Sequence, residues 1–186
     1  MDKLRYPSAA HARPRRTALA VVALLAGAIG LGPGLWPGPA RADDDPLARI
    51  RRLEGTWLVV DASGQPTDQV ASVFRVTANG HSVEEVMFPV SDHEMVNMYY
   101  RDVYEVHMTH FCAGGNQPVL RLVPGATPDL LELQFLDISN MVTMNDEHMH
   151  EARYQWLGAD RLRIEWRTFR NGRFLEASRI EMLRRK

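Results

Sequence analysis

Apolar and polar residues alternate along most of the chain after Gly55, in short runs that are separated by turn residues. A period of two is typical of β-strands, whose successive side chains project to opposite faces. The pattern is clearest near the C-terminus, where Leu162, Ile164 and Trp166 alternate with charged residues. The ten strands that these runs predict are 57–61, 70–77, 82–88, 93–100, 103–112, 119–123, 130–136, 148–156, 161–169 and 174–183.

Short turns join these strands and indicate the topology. Asn79-Gly80 predicts a type I′ hairpin turn, and Asn171-Gly172 joins the last two strands. Many short, evenly spaced strands with tight turns favour a sandwich or a closed barrel. We predict an all-β fold, a single antiparallel up-and-down β-barrel of about ten strands. Such a barrel encloses space for one small ligand.

A short helix is predicted ahead of the first strand. Asp45 suits the N-cap position and Pro46 the first helical position. Leu47, Ile50 and Leu53 then recur at near-helical spacing. The pattern predicts one or two helical turns that plug one end of the barrel.

The first 42 residues predict an export signal. A basic segment at 1–17 precedes an apolar run at 18–29, and Ala40-Arg41-Ala42 supplies the small residues that an export peptidase recognises. The alternative is a transmembrane anchor, but the run of about a dozen residues is short of the roughly 20 that span a bilayer. We therefore expect cleavage after Ala42, one barrel domain at 43–186, and a periplasmic or extracellular location. Arg15-Arg16 leaves both general secretory and twin-arginine export open.

Cleavage would change the charge of the protein. The signal removes six of the 22 basic residues and one of the 23 acidic residues, which leaves 16 and 22 and a net charge of −6. A net-acidic barrel without a basic stripe argues against nucleic acid as a partner. The single cysteine, Cys112, allows no internal disulfide. We expect a small-molecule partner and no stable membrane anchor.

Alternation also predicts which side chains face the barrel interior. On the strand at 93–100 neither face is plainly polar, which suggests a functional inner face. The inward residues predicted on the other strands are Tyr104, Val106, Met108, His110, Cys112, Leu131, Leu133, Phe135, His148, His150, Ala152, Tyr154, Trp156, Leu162, Ile164, Trp166 and Thr168.

Several blocks of the sequence resemble the calycin group. Residues 53–57, Leu-Glu-Gly-Thr-Trp, resemble the Gly-x-Trp opening signature of lipocalin and fatty-acid-binding-protein barrels. The blocks that resemble a set of uncharacterised exported bacterial lipocalin-like proteins are 88–89, 93–99, 109–112, 115–118 and 148–150. The resemblance covers most of 53–186 and implies a calycin-type barrel, with no agreed activity to carry over. Ten strands are nearer the fatty-acid-binding or haem-binding nitrobindin arrangement than the eight-stranded lipocalin, although the glycine run and Tyr-Pro segment of nitrobindin are missing after Trp57.

The main functional hypothesis is a largely apolar ligand that a few polar side chains orient in the cavity. Arg121 would pair with a ligand carboxylate if it pointed inward, and an outward, solvated arginine is the alternative. The candidate ligand-binding residues are His93, Asn97, Tyr99, Met108, His110, Cys112, Arg121, Tyr154 and Trp166.

Metal or haem binding is the first alternative. His148 and His150 lie two residues apart on one strand, a spacing that can bind zinc or copper. Their other interpretation is hydrogen bonding and packing at the barrel rim. Haem held by a histidine such as His93 or His110 is a related hypothesis.

A barrel enzyme is the second alternative. A histidine acting as general acid or base near neutral pH would suit an isomerase, cyclase or hydratase. Cys112 and His110 could form a nucleophile and base pair, but residues two apart on a strand lie about 7 Å apart. A third possibility is an interaction module whose barrel interior is filled.

Overall fold

The computed structural model describes residues 45–143 and 145–186. Ten antiparallel strands close into one barrel, because each strand pairs with its neighbours in sequence and β1 also pairs with β10. The strands are β1 (Gly55–Val60), β2 (Pro66–Thr77), β3 (Ser82–Met87), β4 (Met95–Asp102), β5 (Glu105–Phe111), β6 (Gln117–Pro124), β7 (Leu130–Ser139), β8 (His148–Gly158), β9 (Arg161–Arg170) and β10 (Arg173–Arg184). The predicted all-β up-and-down barrel is confirmed. The predicted export signal at 1–42 lies outside the described residues.

The two Asn-Gly turns differ from one another. Asn171 and Gly172 have φ of 54° and 68° and form a two-residue loop between the paired residues Arg170 and Arg173. The residues around Asn79 instead form a four-residue loop, 78–81, in which Ala78 also has a positive φ of 49°. The predicted turn at 79–80 is present within this loop, because Asn79 and Gly80 have φ of 54° and 87° and the His81 amide donates to the Ala78 carbonyl at 3.1 Å.

The predicted start of β5 is wrong. Asp102 pairs with Glu105, so that Val103 and Tyr104 form the turn between β4 and β5. The Tyr104 side chain, predicted to face inward, is 94% exposed. A positive φ of 49° at Val103 reverses the chain two residues later than the Arg101-Asp102 turn that the sequence suggested.

The short helix α1 (Pro46–Arg51) forms as predicted, with Asp45 at its N-cap. The Asp45 carboxylate accepts a hydrogen bond from the Leu47 backbone amide at 3.1 Å. Leu47 and Ile50 are buried in the hydrophobic core. Arg51 donates to the Gly80 carbonyl in the β2–β3 loop at 3.2 Å. The helix therefore covers the barrel end at which β1 begins, and we call the opposite end the distal end.

Large apolar side chains fill much of the barrel interior. Trp57, Phe74 and Met108 are almost completely buried, and the Trp57 indole nitrogen donates to the Leu53 carbonyl at 2.7 Å. Burial of such side chains from facing strands is the main force that stabilises a barrel without disulfides. Within the part of the chain that the structure describes, no helix has the length and apolar character needed to span a bilayer.

Candidate ligand-binding site in the barrel interior

A cluster of polar side chains lies inside the barrel, and we call it the interior polar cluster. Its members are at most 1% exposed. Glu85 on β3 pairs in register with Asn97 on β4, and Asn97 pairs with His110 on β5. Antiparallel partners project to the same face of a sheet, so these three side chains meet. The cluster consists of Ser72, Glu85, Asn97, Tyr99, His110 and Tyr154.

Glu85 is the centre of the interior polar cluster. Its Oε1 accepts from the Ser72 hydroxyl at 2.6 Å, and its Oε2 accepts from Asn97 Nδ2 at 2.7 Å and from the Tyr99 hydroxyl at 2.5 Å. Burial raises the pKa of the Glu85 carboxyl, while these donors act in the opposite direction. A buried carboxyl is tolerated here because donors surround both of its oxygens.

Tyr99 and Tyr154 extend the cluster across the barrel. Their hydroxyl oxygens are 2.7 Å apart, while the Tyr154 hydroxyl is 3.5 Å from Glu85 Oε2. Because the Tyr99 hydroxyl hydrogen is donated to Glu85, the Tyr154 hydroxyl must donate to the Tyr99 oxygen. Burial and the nearby Glu85 carboxyl raise the pKa of both phenols well above the ordinary value.

Asn97 determines which nitrogen of His110 carries the proton. Its Nδ2 donates to Glu85, so its Oδ1 is the acceptor that faces His110 Nδ1 at 2.7 Å. His110 Nδ1 must therefore donate, which leaves Nε2 of the neutral ring as an acceptor. Burial lowers the pKa of His110 to about 4, so the ring is neutral at physiological pH.

Two buried polar atoms next to this cluster lack a partner. Among the described residues, no atom forms a hydrogen bond with His110 Nε2 or with the indole nitrogen of Trp166. The two rings lie on β5 and β9, which three strands separate, and their centroids are 5.2 Å apart. The contact therefore crosses the barrel interior. One of the two atoms is an acceptor and the other is a donor.

The structure brings six of the predicted ligand-binding residues into the interior. Each is at most 3% exposed. Four of them belong to the interior polar cluster, and Trp166 contacts it through the rings of His110 and Tyr154. The burial of Met108, His110, Tyr154 and Trp166 agrees with the inward orientation that alternation predicted for these four residues. The six are Asn97, Tyr99, Met108, His110, Tyr154 and Trp166.

Three other candidates lie away from this interior. His93 is exposed in the loop between β3 and β4, because β4 begins only at Met95. Arg121 points outward and forms an ion pair with Glu105 at 3.0 Å, so the outward alternative is correct. Cys112 is half-buried just beyond the end of β5, with its sulfur 3.4 Å from the Gly114 amide.

The His148 and His150 side chains lie at the distal end, where β7 and β8 separate. The β7–β8 ladder ends at the pair formed by Gln134 and Glu151, although β8 continues to pair with β9. A bulge at Met149–Glu151 shifts the register, so Met149 rather than His150 lies opposite the inward Thr168. Simple alternation therefore fails at this bulge, where Met149 takes the inward position predicted for His150, although His148 is itself buried.

Aromatic rings surround this histidine pair. The His150 ring stacks on Phe135 at 4.4 Å and on Phe169 at 4.2 Å between ring centroids. His148 Nδ1 contacts the Asp146 carbonyl at 3.0 Å, and its Nε2 contacts His150 Nδ1 at 3.1 Å. Both ring nitrogens of His148 thus have hydrogen-bonding partners within the protein. A metal could bind either nitrogen only if one of these contacts were broken, so the arrangement favours packing over metal binding.

The metal hypothesis has no further support from the geometry. Residues 45–143 and 145–186 contain no group of three or more His, Cys, Asp or Glu side chains that could hold a metal ion. The zinc, copper and haem assignments stay predictions.

Sequence reasoning missed Glu85 and Ser72. Glu85 was predicted to lie on a strand, but the carboxyl was not recognised as an inward group. A signal was present, because Glu85 alternates with Val83 and Met87 on the same face of β3, and both of these residues are buried. A charged residue on the apolar face of a strand is the pattern that identifies such a site.

Grooves also occur on the outside of the protein. One of about 480 Å³ lies beside α1, where the Arg49 guanidinium is 4.4 Å from the centre of the Trp156 ring. Another of about 390 Å³ is lined by outer-face residues such as Arg163 and Arg179. Arg163 forms an ion pair with Glu181, and Arg179 forms one with Glu165.

Comparison with protein-family models finds no matching family, and comparison with curated proteins finds no similar sequence. The closed ten-strand barrel is consistent with a calycin-like barrel. This fold is compatible with ligand binding.

Proposed function

We propose that this protein binds a small, largely apolar molecule inside the barrel, and that His110 and Trp166 orient the polar group of that molecule. The observation that carries the proposal is the pair of buried, unpartnered polar atoms on these two rings, whose centroids are 5.2 Å apart across the interior. Buried polar groups in proteins almost always have a hydrogen-bond partner, and a bound ligand would supply the partner that these two atoms lack.

The surroundings of these atoms suit an adaptable apolar pocket. Met87 and Met108 are buried within the hydrophobic core, and Met95 and Met149 pack against it. Methionine side chains are flexible and repack readily around a ligand. A ten-stranded barrel is also wider than an eight-stranded one. In an eight-stranded barrel the side chains are just able to fill the interior. We therefore expect the interior to accommodate a ligand by repacking of these side chains.

An acid/base enzyme has less support. A general base works best when its pKa lies near the working pH, whereas burial lowers the pKa of His110 to about 4. A neutral imidazole with a fixed tautomer is a good hydrogen-bond acceptor under the same conditions. The geometry thus favours orientation of a ligand over proton transfer.

Native mass spectrometry of protein purified from its own cellular compartment, combined with metal analysis, tests the proposal. We expect an organic molecule to co-purify with the wild-type protein and to be lost from His110→Leu. His81→Ala, which changes an exposed histidine near α1, serves as the control and should retain the molecule. A stoichiometric metal or haem with no organic ligand would contradict the proposal and support the first alternative.

We also propose that the protein belongs to the calycin-like barrels and is exported. The supports are the Gly55-Thr56-Trp57 signature and the signal-like pattern at 1–42. Mass analysis of the protein from fractionated cells should give a mature chain that begins at Asp43 in the periplasmic or extracellular fraction. An uncleaved chain in the cytoplasmic fraction would contradict this proposal.

A further inference from the structure

We infer that the ligand is an uncharged molecule that carries a hydroxyl group, an alcohol or a phenol, and that the site discriminates against carboxylates. This inference rests on the proposed function and names the ligand class of the same site. It depends on two independent properties of the interior, which are the hydrogen-bonding capacity of the two unpartnered atoms and the charge of the side chains around them.

The hydrogen-bonding capacities of the two atoms are complementary to a hydroxyl group. His110 Nε2 can only accept, because Nδ1 carries the proton that is donated to Asn97 Oδ1. The Trp166 indole nitrogen can only donate. A single hydroxyl group can donate to the first atom and accept from the second. A carboxylate or a ketone oxygen can only accept, and it would leave His110 Nε2 unpaired.

The tautomer of His110 is difficult to reverse. Moving the proton to Nε2 would place a bare Nδ1 lone pair opposite Asn97 Oδ1, which is an acceptor. Rotating the Asn97 amide to compensate would turn its oxygen toward Glu85 Oε2, which now accepts from Nδ2 at 2.7 Å. The cost of each such mismatch is that of a buried unsatisfied polar group. Glu85, through Asn97, thus holds His110 Nε2 as an acceptor.

The charge of the interior also disfavours an anionic ligand. Glu85 is fully buried and is separated from His110 by only one side chain, that of Asn97. In the described part of the chain, no arginine or lysine is among the buried residues. Arg121, which could have paired with a ligand carboxylate, is bound to Glu105 on the outer face. A buried carboxylate without a cation is costly, and a second acid beside Glu85 raises that cost.

A water molecule has the same donor and acceptor capacity as a hydroxyl group, so it is the main competitor. A ligand hydroxyl that displaces such a water reproduces both of its hydrogen bonds and adds apolar burial. The test must therefore separate a site for a hydroxylated ligand from a site for water only.

Naphthol, naphthoate and naphthalene are suitable probes, because they share one ring system and differ only in the polar group. Titration of the wild-type protein at neutral pH, followed by calorimetry, should show naphthol binding about tenfold or more tightly than either of the others. His110→Leu and Trp166→Phe should each reduce this preference to about twofold or less, while naphthalene affinity changes little. His81→Ala is the matched control and should keep the full preference.

The outcomes distinguish the inference from the proposed function. If none of the three probes binds the wild-type protein, both fail and the site holds water only. If naphthoate binds as tightly as naphthol, the ligand class is wrong but the binding function stands. Equal binding of naphthalene and naphthol would likewise overturn the role of the two polar atoms. This wild-type comparison decides the question even if a variant fails to fold.

Discussion

Asn97 and His110 lie directly opposite one another in the β4–β5 ladder and share a buried hydrogen bond of 2.7 Å. The Asn97 amide nitrogen donates to Glu85, so Glu85 fixes the orientation of the Asn97 amide, and that amide in turn fixes the tautomer of His110. A network of this kind specifies a single arrangement only when every member is satisfied. His110 Nε2 and the neighbouring Trp166 indole nitrogen have no partner among the described residues, and the proposed ligand site rests on these two atoms.

Replacement of Asn97 by alanine should release the tautomer of His110. The change leaves Glu85 without one donor and His110 Nδ1 without its acceptor, so we expect a loss of about 1–3 kcal/mol in the free energy of unfolding. Nitrogen-15 NMR of the imidazole should show a single Nδ1–H tautomer in the wild-type protein and a mixture in Asn97→Ala. Asn145→Ala, in an exposed loop, is the control. An unchanged His110 spectrum in Asn97→Ala would contradict the positioning role.

The buried His110 should make stability depend on pH. Its pKa falls from 6.5 in the unfolded chain to about 4 in the folded protein. The unfolded chain therefore binds more protons within this window, and the stabilisation is complete above pH 6.5 and is lost as the pH falls toward 4. The whole shift corresponds to about 3 kcal/mol.

Urea unfolding of the wild-type protein and of His110→Gln across this pH range measures the effect. Burial also lowers the pKa of His150, which contributes in the same direction, so the difference between the two proteins isolates His110. The free energy of unfolding should fall less steeply with decreasing pH in His110→Gln. Parallel curves would show that His110 is not the buried neutral group described here.

Tyr99 and Tyr154 offer a matched pair of tyrosine-to-phenylalanine variants. The Tyr99 hydroxyl is 2.5 Å from Glu85 Oε2, whereas that of Tyr154 is 3.5 Å away and bonds mainly to Tyr99. Tyr99→Phe removes a donor from a buried carboxyl, so we expect it to cost about 1–3 kcal/mol in stability. Tyr154→Phe should cost less, about 1 kcal/mol. Thermal or chemical unfolding that ranks the two variants in the reverse order would contradict the proposed direction of the hydrogen bonds.

Much of this fold could be predicted from the sequence because alternation is a local signal. It gave all ten strands and the inward orientation of Met108, His110 and Trp166. It failed where the local pattern is broken by geometry that depends on a partner strand. The bulge beside His150 arises from pairing with β9, and the turn at Tyr104 arises from the register between β4 and β5.

The interior polar cluster was only partly predictable. Asn97 and Tyr99 could be chosen from their own strand, but their link to Glu85 depends on the register of β3 against β4. The contact between His110 and Trp166 depends on barrel closure, which brings β5 and β9 together across the interior. The residue spacing within a single strand predicts neither the link to Glu85 nor the contact between His110 and Trp166.

Glu85 should show a pH dependence of the opposite sign to that of His110. Burial raises the pKa of its carboxyl above the ordinary value of 4.5, so the folded protein binds the proton more tightly than the unfolded chain. This stabilisation is complete below pH 4.5 and is lost as the pH rises through the folded pKa.

Glu85→Gln keeps the shape of the side chain and removes the ionisation. The Gln amide can donate to the Ser72 hydroxyl while its oxygen accepts from Asn97 and Tyr99, so the network can be retained. Relative to the wild-type protein, Glu85→Gln should gain stability as the pH rises above 4.5, as measured by urea unfolding at several pH values. Glu84→Gln, on the neighbouring outward position, is the control for loss of a charge. A constant difference between Glu85→Gln and the wild-type protein at all pH values would contradict the raised pKa.

The histidine pair at the distal end should respond to substitution as a packing element. His150 is stacked between Phe135 and Phe169, so His150→Ala removes two ring contacts and should lower stability by about 1–3 kcal/mol. His150→Phe retains both stacks and should restore most of that loss, at the cost of the hydrogen bond to His148. Thermal unfolding in the presence of a chelator separates this role from metal binding. If His150→Phe is as unstable as His150→Ala, and chelation destabilises only the wild-type protein, then the pair acts as a metal site and the packing role is wrong.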